Sequence, residues 1–162
     1  MKNRSAFTLI ELIFVIVVLG ILASVALPKL GKNLQHAQIA KAQGEVAAIR
    51  TSIASARQKL LVTGVNAYPS TLDNGATLGD GQKLFDTNGT VEILGYPKYS
   101  KSSSGNWKKN TAYNAGTGVT LYQFNVDGTN VIFSYDRDNG LFDCHNVNTD
   151  AQAVEFCKTI TE

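Results

Sequence analysis

Histidine is nearly missing from this chain, and the two present, His36 and His145, lie far apart in its 162 residues. There are only two cysteines, Cys144 and Cys157. That supply argues against a zinc site. A Ser/His/Asp spacing, a phosphate-cradling glycine loop and a carboxylate pair in an acid–base context are also missing, so catalysis is not the expected role and no cofactor is called for. The net charge of +2 is too small to demand a nucleic acid or an acidic substrate as partner.

What the chain does have is a long apolar start. After a polar leader carrying Lys2 and Arg4, the segment Phe7 to Leu27 is apolar almost throughout, with one acid, Glu11, inside it. As a helix rising about 1.5 Å per residue, it is roughly 30 Å long, close to the hydrocarbon thickness of a bilayer. A lone carboxylate near the start of a span is expensive to bury and needs a reason. Three readings compete. A secretory signal peptide would use Ser24-Val25-Ala26 as its cleavage site, but the apolar run is long for that and helical spacing continues beyond it. A plain membrane anchor is the second, although Lys2 and Arg4 on one side compete with Lys29 and Lys32 on the other in setting its orientation.

The third reading rests on a resemblance. Ala6-Phe7-Thr8-Leu9-Ile10-Glu11 resembles the cleavage and methylation motif of type IV pilins and type II secretion pseudopilins. The likeness covers about the first thirty residues, including Gly20 and Pro28, where that family places helix-weakening residues. It departs at one position, having Ala6 where the family usually has Gly. The resemblance implies that a prepilin peptidase cuts between Ala6 and Phe7 and that the new amino group of Phe7 is methylated. It also implies a pilin-like α+β fold and assembly into a helical filament with like copies and related pilins. Residence in the bacterial inner membrane with the head outside the cytoplasm, contact with membrane lipid and an inner-membrane assembly platform, and a later periplasmic or extracellular filament belong to the same implication. Independently of the resemblance, a carboxylate at a helix N-terminus is favourably placed. Glu11 would face the new amine of its own chain, or pair with that of a neighbouring copy where water is absent, which makes it the candidate assembly residue.

Beyond the span, Pro28 removes a backbone donor and Gly20 and Gly31 add flexibility. Leu34, Ala37, Val46, Ile49, Ile53, Ala56 and Leu60 then recur at helical spacing, with Gln38, Lys41, Arg50, Arg57 and Lys59 on the other face, and Thr63-Gly64 reads as the stop. Charge is unevenly spread. Lys29, Lys32, Lys41, Arg50, Arg57 and Lys59 face a single acid, Glu45, whereas the remainder from Leu60 is acidic overall. A basic stem and an acidic head would favour packing between copies. DNA could touch the basic face, but solvation explains it more simply, and nucleic acid is not specifically indicated.

Residues 64–118 are turn-rich, punctuated by Asn74-Gly75, Asp80-Gly81, Asn88-Gly89 and Gly105-Asn106. We expect a loop region, with Val91 to Leu94 as a candidate strand, packed on the helix through Leu84, Phe85, Ile93, Leu94 and Trp107. Asp86-Thr87-Asn88-Gly89-Thr90 also fits an extended acidic N-glycosylation sequon, which makes Asn88 a candidate acceptor, although Asn-Gly is a turn signal in its own right. Val119 to Val126 and Asn130 to Tyr135, joined by Asp127-Gly128, predict a hairpin. A turn at Asp138-Asn139-Gly140 leads to a third strand ending at Cys144. Asp136 to Gly140 is not an EF-hand, because Gly140 stands where a ligand is needed and no Glu follows. Cys144 and Cys157, in an exported domain, read as a disulfide, with a short helix between them from about Asp150.

The expected organisation is therefore a leader at 1–6, a transmembrane and assembly helix at 7–28, an amphipathic helix at 29–63, a variable loop region at 64–118, and an antiparallel sheet of three or four strands with a disulfide-closed C-terminal region at 119–162. The first function expected is a structural pilus subunit. The alternatives are a minor pilin or pseudopilin of a secretion or DNA-uptake machine, and more distantly a membrane-anchored exported binding domain.

Overall fold

The computed structural model describes residues 7–111 and 116–162, with backbone alone at 27 and 28. The described residues fall into two compact units that meet in sequence between His36 and Ala37. One helix, α1 (Leu9–Val62), contributes to both, and its assignment continues across Gly20, Pro28 and Gly31. In the first unit it is long and apolar enough to cross a membrane, and its apolar window is not buried at all.

In the second unit α1 becomes amphipathic. Ala42, Val46, Ile49, Ile53, Ala56 and Leu60 alternate steps of four and three, and all are buried. The stripe starts later than the sequence suggests. Leu34 and Ala37 are exposed, while Gln38, expected on the polar face, is buried and accepts the Asp127 N–H at 2.8 Å. Arg50 and Arg57 are also half-buried, because their long side chains turn back to the domain for hydrogen bonds. The helix ends in a Schellman closure. Val65 N–H reaches Leu60 O, Gly64 N–H reaches Leu61 O, and Gly64 sits at φ +85°, which glycine adopts without strain.

Facing this helix is an antiparallel sheet in simple meander order: β3 (Trp107–Asn110), β4 (Val119–Val126), β5 (Thr129–Asp136) and β6 (Leu141–Cys144). A two-stranded ribbon, β1 (Lys83–Leu84) with β2 (Lys98–Tyr99), precedes it. The β4–β5 turn places Asp127 at φ 48° and Gly128 at φ 91°, the left-handed pair that a two-residue hairpin requires. Strand β3 lies inside the stretch read as loop, and Val91 to Leu94 is not a strand. That segment folds back on itself instead, with Ile93 N–H on Asp86 O and Leu94 N–H on Phe85 O.

The sheet face toward α1 presents Tyr122, Phe124, Val126, Val131, Phe133, Tyr135 and Phe142, and the preceding loop adds Leu84, Phe85, Ile93 and Trp107. Phe85 is the plug. It adopts φ 56° and is fully buried, with its ring edge-on to Trp107 at 5.4 Å and to Phe142 at 5.9 Å. Burying an aromatic ring outweighs the strain of about 1–2 kcal/mol that a left-handed non-glycine residue carries. Helix α2 (Ala151–Thr161) is capped by Asp150, whose carboxylate accepts from Gln152 and Ala153 N–H. It buries Ala153, Phe156, Cys157 and Ile160 beside β5 and β6.

Candidate functional site

The N-terminal segment carries the chemistry the sequence singles out. Thr8 precedes the first helical residue, and its hydroxyl accepts the Glu11 N–H at 3.3 Å. Glu11 answers through one oxygen, Oε2, which accepts both the Thr8 N–H and the Thr8 hydroxyl at 2.8 Å. This is a capping box, Thr-x-x-Glu, satisfying donors that a helix start otherwise leaves open. The other oxygen, Oε1, makes no hydrogen bond among the described residues. Around it Phe7, Ile10, Phe14 and Val15 line a shallow apolar hollow, and Phe7 is 73% exposed. Apolar surface this continuous has to be covered by lipid or by protein.

Of the residues named from sequence, Phe7 and Glu11 lie together at this helix start. Ala6 lies outside the described residues. Gly20 has open space where a Cβ would stand, and the side chain of Pro28 is not described. Thr8 was not named as a partner of Glu11, although the spacing of a capping box was legible in the text.

The head holds its own polar anchors on α1. Arg50 Nε donates to Phe142 O at 2.9 Å, and its two terminal nitrogens reach Asp143 and Thr161 O. Glu45 accepts from Trp107 Nε1 and pairs with Lys98 Nζ, each at 2.8 Å. Asp73, fully buried, accepts from Tyr122 OH at 2.6 Å and from Lys109 Nζ and Ala76 N–H, each at 2.8 Å. Burial and then the Asp73 charge push the Tyr122 phenol pKa well up. Sequence reasoning named none of these partners, because every pairing but the local one with Ala76 crosses tens of residues.

Cys144 and Cys157 are bonded, with Cα atoms 5.8 Å apart. Asn88 sits in a turn, where its side-chain oxygen accepts Thr90 and Val91 N–H. In the Asp136 to Gly140 turn, Asp136 accepts from Asp138 N–H and from the Asn139 amide, so the loop satisfies that carboxylate internally.

Residues 1–27 match the family model of the prokaryotic N-terminal methylation motif. A fimbrial protein of Moraxella nonliquefaciens is 33% identical over 128 residues, covering 79% of this chain and 71% of the relative. A fimbrial protein of Pseudomonas aeruginosa is 34% identical over 105 residues, covering 58% and 68%. The type II secretion system core protein G of Pseudomonas aeruginosa is 34% identical over 70 residues, covering 43% and 46%. No solved structure matches the chain.

Proposed function

The chain belongs to the type IV pilin and pseudopilin family, and on that premise we propose that it is a structural subunit of a type IV pilus-like filament. It is held in the inner membrane after insertion and polymerises through the N-terminal half of α1. The observation that carries this reading is the wholly exposed apolar run of α1 with a capped carboxylate near its start. Lipid covers that run before assembly and neighbouring helices cover it afterwards, by close packing in the filament core. Glu11, whose Oε2 is taken by Thr8, offers Oε1 to the amine of a neighbouring Phe7, which sets the register between copies. Ala6 and Phe7 flank the cut made by a prepilin peptidase, and Phe7 carries the methyl group. The role is architectural, with the head displayed on the filament surface.

Fimbrial relatives whose match spans up to 79% of the chain support a pilus subunit over the alternative. The second reading is a minor pilin or pseudopilin of a type II secretion or DNA-uptake machine. It draws on the core protein G match, which covers less than half of the chain.

Mass spectrometry of the membrane form tests the proposal. Cleavage after Ala6 with a methylated Phe7 is expected, and an uncut chain or a mature end at Leu27 overturns it. Electron microscopy of sheared surface filaments separates the two roles: this chain is their main component if it is the pilus subunit and only a trace component if it is not.

A further inference from the structure

The head contains three Asn-Gly dipeptides, and the fold treats them differently. At Asn139-Gly140 the side-chain amide donates to Asp136 Oδ2 and accepts from Leu141 N–H, each at 2.8 Å, while Gly140 N–H is bonded to Asp136 O at 2.8 Å. At Asn88-Gly89 the amide oxygen accepts two backbone N–H groups, and Gly89 N–H is held by the Thr87 hydroxyl at 3.0 Å. At Asn74-Gly75 neither the side-chain amide nor the Gly75 N–H makes a hydrogen bond among the described residues. Asn74 and Gly75 are both exposed, and nothing lies within 4 Å of where a Gly75 Cβ would stand.

That difference is chemical. In an Asn-Gly pair the backbone nitrogen of the glycine attacks the asparagine Cγ. The Cγ–Nδ2 bond breaks, and ammonia leaves with the proton from the attacking nitrogen. Water then opens the five-membered imide at either carbonyl to give aspartate or isoaspartate. The sum is amide plus water to carboxylate plus ammonium, with no redox change. The attack needs a free backbone N–H and an amide able to rotate onto it, and hydrogen bonds to either group must be broken first. Glycine helps by leaving the approach unhindered.

We propose that Asn74 is the spontaneous deamidation site of the folded head, with Asn88 and Asn139 protected by their hydrogen bonds. The site is sensitively placed. Asn74 follows the fully buried Asp73, whose Oδ1 accepts the Ala76 N–H across the same turn. Conversion adds a negative charge there, and the isoaspartate form also inserts a methylene into the backbone between the two ends of that hydrogen bond.

The three sites fall on separate tryptic peptides, 60–83, 84–98 and 138–158, so one experiment tests them together. The full-length protein in detergent micelles is incubated in mildly alkaline buffer, digested and followed by mass spectrometry, with fragmentation locating the modified residue. A parallel sample is incubated reduced and unfolded in urea. In the folded sample Asn74 should deamidate about tenfold faster than either other site, as expected when hydrogen bonds worth roughly 1–1.5 kcal/mol must break first at those two. In urea the three rates should converge, because every hydrogen bond is gone. Gly75→Ala should slow the folded reaction at residue 74 alone. Equal rates in the folded protein, or Asn88 or Asn139 reacting first, would overturn the proposal, as would a rate order in urea that merely repeats the folded one.

Discussion

Trp107 Nε1 donates to Glu45 Oε2 at 2.8 Å, so the only tryptophan of the chain is tied to the one acid in the basic stretch of α1. Lys98 Nζ holds the other oxygen at 2.8 Å. The Glu45 side chain is 12% exposed and Trp107 is 2% exposed, so removing the acceptor leaves a buried indole donor without a partner. Glu45→Ala should destabilise the head by about 1–3 kcal/mol. Glu45→Gln, which keeps an acceptor and loses only a half-exposed ion pair with Lys98, should lose less than 1 kcal/mol. Trp107 fluorescence during denaturant unfolding of the detergent-solubilised protein reads both. Equal losses in the two variants would show that the ion pair, not the indole contact, matters there.

Glu11 is already satisfied by Thr8 within one chain, so local folding at the helix start does not require a neighbour. Glu11→Ala should therefore leave membrane insertion unchanged while sharply lowering the yield of surface filaments. Membrane fractionation and filament shearing measure the two effects separately. Wild-type filament yield from this variant would refute pairing with a neighbouring amine.

The disulfide closes a segment with a sequence separation of 13. A loop of that size stabilises by up to about 3 kcal/mol through restriction of the unfolded chain. Helix α2 has other anchors, since Phe156 and Ile160 are buried and Arg50 reaches Thr161 O. Reduction should thus lower the denaturant midpoint without unfolding the head at rest. Thiol titration should find no free cysteine before reduction and two after it.

Alkaline pH offers a separate handle. Burial raises the phenol pKa of both Tyr122 and Tyr135. The Asp73 charge adds to it at Tyr122, and Asp136 and Tyr68 add to it at Tyr135. The folded protein therefore holds these protons more tightly than the unfolded chain does. Stability from the two phenols is fully present below the ordinary value of 10.0 and is lost as pH rises beyond it. Ultraviolet titration followed alongside circular dichroism should show both tyrosines ionising only as the fold is lost. Ionisation of all 6 tyrosines with the dichroism unchanged would contradict this.

What was legible follows from how far apart the partners lie. The β4–β5 hairpin could be read because strand pattern and turn are contiguous, with Asp127-Gly128 supplying two left-handed residues in sequence. The stop at Gly64 and the motif around Glu11 are local for the same reason. Strand β3 was not legible. Trp107-Lys108-Lys109-Asn110 has little strand character of its own and is extended because it pairs with β4, Trp107 opposite Phe124. Val91 to Leu94 erred the other way, since a β-rich piece without a partner strand closed on its own loop. Glu45, Arg50 and Asp73 were visible as charges, but their partners lie 62, 93 and 49 residues away for Trp107, Asp143 and Tyr122.

Asp73 gives the sharpest test of such a partner. Its sequence context, Leu72-Asp73-Asn74-Gly75, reads as a surface turn, yet the carboxylate is fully buried against Tyr122, Lys109 and the Ala76 N–H. A buried charge is tolerated only with partners on each oxygen, and here Oδ1 takes the amine and the amide while Oδ2 takes the phenol. Asp73→Ala strands the Tyr122 hydroxyl, which is wholly buried, and the Lys109 ammonium, whose side chain is 16% exposed. Breaking one side of such a pair should destabilise by roughly 3–5 kcal/mol. Adding Tyr122→Phe removes the stranded hydroxyl, so the double variant should be less damaged than the sum of the two single changes. Denaturant midpoints for the four proteins of this cycle supply the measurement. Strict additivity would mean that Asp73 and Tyr122 do not act as a pair, and that the carboxylate holds the loop to the sheet through Lys109 instead.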